Sequence, residues 1–282
     1  MNVLFIADIF GSPGRRAVRD LVPELVTSMG IDFLIANVEN AASGFGVTKD
    51  IIEELKSLGV EAMTSGNHIW DRKEALPLLD QEPLLLRPHN YPPGVPGRGA
   101  HLFKTKAGVS VGIVNLMGRV FMRELDCPFR AAEREVAILR ETTPNIIVDF
   151  HAEATAEKIA LAYYLDGRVS AVLGTHTHVQ TADERILSGG TGFITDAGMT
   201  GPHDSIIGVR KDQAIQKFLN LLPTRFEPAT GDTKLQGVFL DIDESSGRCR
   251  HIERISIAFE PATAQAAAQS AAQSAAQAAS RA

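Results

Sequence analysis

Asp8, Glu39, Asn40, Asn67, His68, His151, His176 and His178 lie at or just after the ends of short apolar runs. Each is a residue type that ligates metals or carries protons, and four of the chain's eight histidines are in the set. Singly, each has a structural explanation. An Asp after a strand caps a helix or turn, an Asn adopts turn conformations, and a lone His is commonly a hydrogen-bonded core or rim residue. Random placement of polar residues does not readily produce all eight together, so the set reads as a metal site. Asp8, Glu39, Asn40, Asn67, His151, His176 and His178 are its candidate ligands.

Spacing adds chemistry. In an extended segment, His176-Thr-His178 would place both imidazoles on one side, because strand side chains repeat every second residue. Two such histidines suit two adjacent metals. Glu39 is the lone carboxylate at its strand end and is the candidate bridging ligand, with the Asn40 amide oxygen beside it. Gly44, Gly46 and Gly66 permit tight backbone there. Two divalent cations against two carboxylates leave the pocket net positive, which suits an anionic substrate. A close metal pair activates a water and stabilises a phosphoryl group. Imidazoles with carboxylate and amide oxygens favour Mn, Fe, Co or Zn over Mg or Ca.

Other polar residues are ambiguous. Asp149 and Glu153 flank His151 and either orient it or are solvated. His203 and Asp204 sit in a Gly-Pro loop, with a structural role favoured. His89, His101 and His251 read as surface or turn residues, and Trp70 as packing. Phe45 is a candidate for stacking on a base.

The runs that end at these residues define the elements. Val3–Ala7, Phe33–Val38, Val60–Ser65, Ser110–Asn115, Asn145–Phe150, Ser170–Gly174 and Gly192–Thr195 read as buried strands. Helices are expected over Thr48–Leu58, around Ala132, Val136 and Leu139, over Thr155–Leu165 and over Lys211–Leu222, with Thr48 and Thr155 as N-caps. The alternation implies βαβ units and parallel pairing. Leu235–Ile242 and Arg250–Phe259, joined by Asp243-Glu-Ser-Ser-Gly247, read as an antiparallel hairpin. The ligands then lie beyond the carboxyl ends of strands, where open α/β sheets bind them.

The totals limit the function classes. The 282 residues are 44% hydrophobic and 22% charged, which suits a folded enzyme and not a disordered chain. A net charge of −6 argues against binding long nucleic acid. Met1–Phe10 has no basic start and carries Asp8, so it reads as a first strand and not a signal peptide. No stretch reaches membrane-spanning length. Cys127 and Cys249 fit reduced thiols and a cytoplasmic location. Tyr91–Gly99 is a turn-rich loop. Residues 263–282, rich in Ala, Gln and Ser without large apolar side chains, read as a disordered tail after one domain spanning 1–262.

Asp8-Ile-Phe10, Val38-Glu-Asn40, Gly66-Asn-His68, His151 and Gly174-Thr-His-Thr-His178 resemble the motifs of the calcineurin-like metallophosphoesterases. Those motifs are Asp-x-His, Gly-Asp, Gly-Asn-His, a lone His and Gly-His-x-His. Phe10 replaces the first His, and Glu39 replaces the bridging Asp. These departures, with Asn37-Val-Glu-Asn-Ala-Ala-Ser-Gly-Phe-Gly46 and Asp196-Ala-Gly-Met-Thr-Gly-Pro202, resemble the YmdB-type branch over nearly the whole chain except the tail. The resemblance implies a four-layer α/β/β/α sandwich with two packed mixed sheets and two iron or manganese ions. One ion would be held by Asp8, Glu39, Asn40 and His178, the other by Glu39, Asn67, His151 and His176. His68 would be the proton donor.

The implied activity is hydrolysis of small phosphodiesters, 2′,3′-cyclic nucleotides among them, by metal-activated hydroxide. The alternatives are a phosphomonoesterase or protein phosphatase on the same scaffold, and a metal-binding regulatory protein acting through a partner. The expected partner is a small anionic phosphodiester, with no membrane; a homo-oligomer is allowed.

Overall fold

The structure, a computed structural model, describes residues 1–260. The tail assigned to 263–282 lies outside the described residues. In chain order the first elements are β1 (Asn2–Ile6), β2 (Asp8–Ile9), α1 (Gly11–Ser28), β3 (Phe33–Asn37), α2 (Lys49–Ser57), β4 (Ala62–Thr64) and α3 (Ala75–Gln81). Then come β5 (Ala100–Lys104), β6 (Ser110–Met117), α4 (Pro128–Arg140), β7 (Ile146–His151), α5 (Thr155–Leu165) and β8 (Ala171–Thr175). The last are β9 (Arg185–Ile186), β10 (Gly192–Ile194), β11 (Met199–Pro202), α6 (Lys211–Asn220), β12 (Thr233–Ile242) and β13 (Cys249–Phe259).

The strands form two mixed sheets. One runs β2-β11-β12-β1-β3-β4, with β13 also paired to β12; the other runs β5-β6-β7-β8-β10-β9. In the first, β1 is parallel to β3 and antiparallel to β12. In the second, β6, β7, β8 and β10 are parallel, and β5 and β9 pair antiparallel at the edges.

Period-two alternation sorts the side chains into layers. From β1, Leu4 and Ile6 pack with Val18, Val22, Ile52, Leu55 and Leu79 of the helices on the outer face. Val3 and Phe5, from the same strand, point inward against Ile113, Ile147 and Leu173 of the second sheet. Beyond that sheet, Val148, Phe150 and Val172 pack with Val136, Leu139, Leu161 and Leu165 of α4 and α5. The order helix, sheet, sheet, helix is the sandwich expected from the chain. Among the described residues no helix is long and apolar enough to cross a membrane.

Several local expectations need correction. Thr48 caps α2 as expected, its side chain accepting from Ile51 N at 3.4 Å. Thr155 does not cap α5; Ala154 holds the N-cap position without a side-chain bond. The long helix α1 was missed, because Pro13, Gly14 and Pro23 interrupt its apolar pattern. The segment after β8 is not extended. His176 and His178 have φ values of 100° and 63°, and the chain bends at both, so their imidazoles do not repeat like those of a strand. His89 is not a free surface group but is half-buried, 3.1 Å from Glu135.

Candidate metal centre

The carboxyl ends of β1, β3, β7 and β8, with the turn after β4, meet at one edge of the sandwich. The first sheet brings Asp8, Glu39 and Asn40 there, and Asn67 follows Gly66 at the start of a 3₁₀ turn over Asn67–Asp71. The second sheet brings His151, His176 and His178. Glu39, His151 and His176 can offer ligand atoms within 4.8 Å of one another.

His151 Nε2 is the hub. It lies 3.1 Å from Glu39 Oε1, 3.1 Å from Asn67 Oδ1 and 3.0 Å from His176 Nδ1. One ring nitrogen carries at most one proton and cannot satisfy three such neighbours. A second group adjoins this one: His178 Nε2 lies 3.3 Å from Asn40 Oδ1 and 3.8 Å from Asp8 Oδ2. His176 N donates to Asp8 Oδ2 at 3.0 Å and ties the groups together.

The outer partners set the tautomers. The Thr175 hydroxyl donates to Asp149 Oδ1 at 2.7 Å, so its oxygen is left to accept from His151 Nδ1 at 3.0 Å. His178 Nδ1 donates to the Ile207 carbonyl at 2.9 Å. His176 Nε2 faces Glu153 Oε2 at 3.2 Å. In each ring the outer nitrogen holds the proton and the inner lone pair faces the cluster. Asn40 Nδ2 donates to Gly44 O at 2.9 Å, which turns its amide oxygen inward in the same way.

The donor set fits a cation. Asp8 Oδ1 and Glu39 Oε1 are buried and accept no hydrogen bond from any described residue. Such atoms are costly unless a positive charge meets them. Burial pushes the Asp8 carboxyl up, helped by the nearby carboxylates of Glu39 and Asp196. Burial opposes charge on Glu39 and His151 too, but each stabilises the other, so Glu39 is held low and His151 high. A divalent cation answers the same negative field. Burial and neighbouring His151 bring His176 down to about 3, and burial lowers His178, so both keep neutral, ligand-competent rings.

Close packing makes the gathering possible. A Cβ on Gly66 would collide with the His151 ring and Glu39 Oε2. Gly44 and Gly46 have φ of 93° and 73°, which a side chain would strain. His68 lies in the 3₁₀ turn. Its backbone N–H donates to Glu39 Oε2 at 3.1 Å, and its Nδ1 faces Asp71 Oδ2 at 2.8 Å. Its ring stands at the edge of the cluster instead of inside it.

Asp149 and Glu153, candidate orienting groups from the sequence, both face ligand-set histidines, Asp149 through Thr175 and Glu153 directly at His176. Asn37, Thr175 and Asp196 stand in the quoted motifs without an expected role, and Lys158 stands in none. Asn37 Nδ2 donates to Asp149 Oδ2 at 2.9 Å, while its Oδ1 accepts from Glu39 N at 3.2 Å. Glu39 and His151 are thus linked across the two sheets through Asn37, Asp149 and Thr175. Lys158 Nζ meets Asp196 Oδ2 at 2.7 Å, with both side chains fully buried. The same oxygen accepts from Thr177 N and Thr177 Oγ1. The available signal was a polar residue inside an otherwise apolar strand or helix face. His203 Nδ1 donates locally to the Gly201 carbonyl, and Trp70 packs against Tyr91 at 5.1 Å, so neither joins the cluster.

The model of the YmdB-like protein family matches residues 4–255. A 2′,3′-cyclic-nucleotide 2′-phosphodiesterase of Bacillus subtilis is 50% identical over 257 residues, covering 91% of this chain and 97% of that protein. A crystal structure of a hypothetical protein from Thermus thermophilus superposes with a TM-score of 0.86 at 43% identity, covering 93% of this chain and all of the other. A novel phosphatase from Mycoplasma pneumoniae gives 0.86 at 32% identity, covering 94% and 96%.

Proposed function

The chain belongs to the YmdB-like protein family, and from that premise we propose that it is a metal-dependent phosphodiesterase that opens the ring of 2′,3′-cyclic nucleotides. One observation carries the reading. Three imidazoles have their outer nitrogens engaged, so their inner lone pairs converge on the oxygens of two buried carboxylates and two amides.

In this reading Asp8, Glu39, Asn40 and His178 hold one ion, and Glu39, Asn67, His151 and His176 hold the other. Glu39 is the shared ligand. The imidazole and oxygen donors suit a transition metal, and the family resemblance implies iron or manganese. Bound there, two such ions would supply an activated water and neutralise charge on the phosphoryl oxygens.

The chain's own groups do the rest. Asp149, through Thr175, fixes the His151 ring, and Glu153 and the Ile207 carbonyl fix the other two. As an imidazolium, His68 donates from Nδ1 to Asp71 and gives its Nε2 proton to the departing ribose oxygen. Two unpaired thiols, Cys127 and Cys249, support a reducing, cytoplasmic setting.

The test is a rate and a metal count. Purified protein loaded with manganese or iron should hydrolyse 2′,3′-cyclic AMP faster than a nucleoside monophosphate. Glu39→Ala should lose both ions together. A faster rate on monoesters would replace the diesterase reading with that of a phosphomonoesterase. Two ions retained in Glu39→Ala would remove the shared-ligand assignment.

A further inference from the structure

An apolar cavity of about 310 Å³ opens directly beside the ligand cluster. His178, Asn40 and His68 form the side facing the cluster, and Phe10, Phe45 and Phe226 form aromatic walls. That volume is at the lower end of the ~300–1,000 Å³ range of small-molecule sites, which suits a nucleoside-sized group.

The aromatic walls are held in place. The Phe10 ring is buried and meets His178 edge-on at 5.6 Å. A Cβ on Gly44 would approach that ring to 2.9 Å, and one on Gly208 to 2.7 Å, so both glycines leave room for it. Phe45 meets the His68 ring at 5.0 Å, and its carbonyl accepts from Arg72 Nε at 3.0 Å. A group in the cavity therefore sits between the proposed proton donor and one metal ligand.

The polar atoms around the cavity are largely engaged. Asn40 Nδ2 donates to Gly44 O, and the Ile207 carbonyl accepts from His178. Ile206 and Val209 bond to each other through both their backbone groups, at 3.0 and 3.1 Å. Such a wall offers faces to stack on and few groups to read a base edge.

Resting on the phosphodiesterase reading above, we propose that this cavity receives the nucleobase of the substrate, holding it by aromatic stacking and without selecting its identity. The wall leaves few donors and acceptors for hydrogen-bonded readout, and every base has a π-face. The subsite then works as a lever: binding at the base orients the cyclic phosphate toward the cluster.

The experiment compares 2′,3′-cyclic AMP with ethylene phosphate, the same five-membered cyclic diester without a nucleoside. Phe45→Ala and Phe226→Ala should each lower kcat/KM on the nucleotide by roughly 5- to 150-fold, the range that stacking of one base supports. On ethylene phosphate the same variants should lose less than about twofold, because that substrate has no base to stack. Phe226→Leu, which keeps bulk without the ring, guards against misfolding, with melting temperature and metal content measured alongside.

Calorimetry on the metal-loaded protein should show weaker binding of adenosine 3′-monophosphate in the same variants. The four 2′,3′-cyclic nucleotides should differ by less than about tenfold in wild-type kcat/KM. Equal losses on both substrates, unchanged nucleotide binding, or a strong preference for one base would overturn the base subsite alone. A wild-type protein that turns over ethylene phosphate but no cyclic nucleotide would overturn the substrate reading with it.

Discussion

His68 differs from the three cluster histidines in where its ring stands. Its outer nitrogen faces the half-exposed Asp71, and its backbone, not its ring, contacts Glu39. His68→Ala should therefore keep metal content and lose turnover, by roughly 10²–10⁴-fold on a ribose alkoxide leaving group. A nitrophenolate leaves without help, so a nitrophenyl diester should lose far less. Equal losses on both, with full metal occupancy, would make His68 a positioning residue. Loss of metal would make it a ligand or its support.

Thr175 is a second test at this scale. Its hydroxyl is the only link between the Asp149 carboxylate and the His151 ring in the chain described above. Thr175→Val keeps the shape and removes the acceptor, leaving the tautomer of His151 unfixed. Metal affinity should fall about 10–100-fold, and Thr175→Ser should recover most of it. A valine variant that titrates like wild type would show that Thr175 does not set the ring. The ligand candidates were legible in the sequence because each follows an apolar run. Thr175 and Asn37 were not, since a single polar residue at the end of a buried strand gives no sign of what it faces in the other sheet.

At the scale of elements, the bend holding His176 and His178 depends on α5 and on the chain after β10. Lys158 reaches out of the helix to Asp196, and Asp196 grips Thr177 between the two histidines. Both histidines have positive φ, a conformation a non-glycine residue adopts at a cost and keeps only when held. Lys158→Met should leave the Asp196 charge buried and unpaired, at about 3–5 kcal/mol of stability. Urea unfolding of metal-free protein measures that loss, and metal titration should show weaker binding too. Wild-type values in both would show that the clamp is dispensable.

Elements with plain periodicity were legible. The apolar face of α2 is Ile51, Ile52 and Leu55, and the β12–β13 hairpin pairs in the expected region, with Leu240 opposite Ile252. The helix α1 was hidden because its two prolines and its glycines belong to tight packing: a Cβ on Gly14 would collide with the Thr200 carbonyl. The bend at His176 was misread because strand alternation stops at Thr175, where a tertiary contact takes over.

In the whole molecule, the cluster is where the two sheets are joined by polar groups. Asp8, Glu39, Asn40 and Asn67 come with the first sheet, and His151, His176 and His178 with the second. A cation bound there would tie one sheet to the other. Chelation should therefore lower the melting temperature. At a free metal concentration of 100 times Kd, binding contributes about 2.7 kcal/mol, or about 5–10 °C for a domain of this size. Thermal scans with and without a chelator measure it; coincident curves would argue against the ion binding the native fold. Deletion of residues 263–282 should leave melting temperature and activity unchanged, since those residues bring no large apolar side chain. A drop in either would show that they pack.

The strand order of the first sheet has a consequence for the birth of the protein on the ribosome. β12 lies between β1 and β11, so Val3 pairs with Leu240. β1 emerges long before β12, one of its two neighbours. At ~5–20 residues per second, that edge waits on the order of ten seconds or more for its partner. Through that interval the nascent chain presents a largely apolar strand with one side unpaired, the kind of edge that invites wrong pairing. Asp8, directly after β1, is held in the same half-built sheet, so a cation that arrives early meets an unfinished frame. On this order synthesis would come first, closure by the late hairpin second, and binding of a cation last.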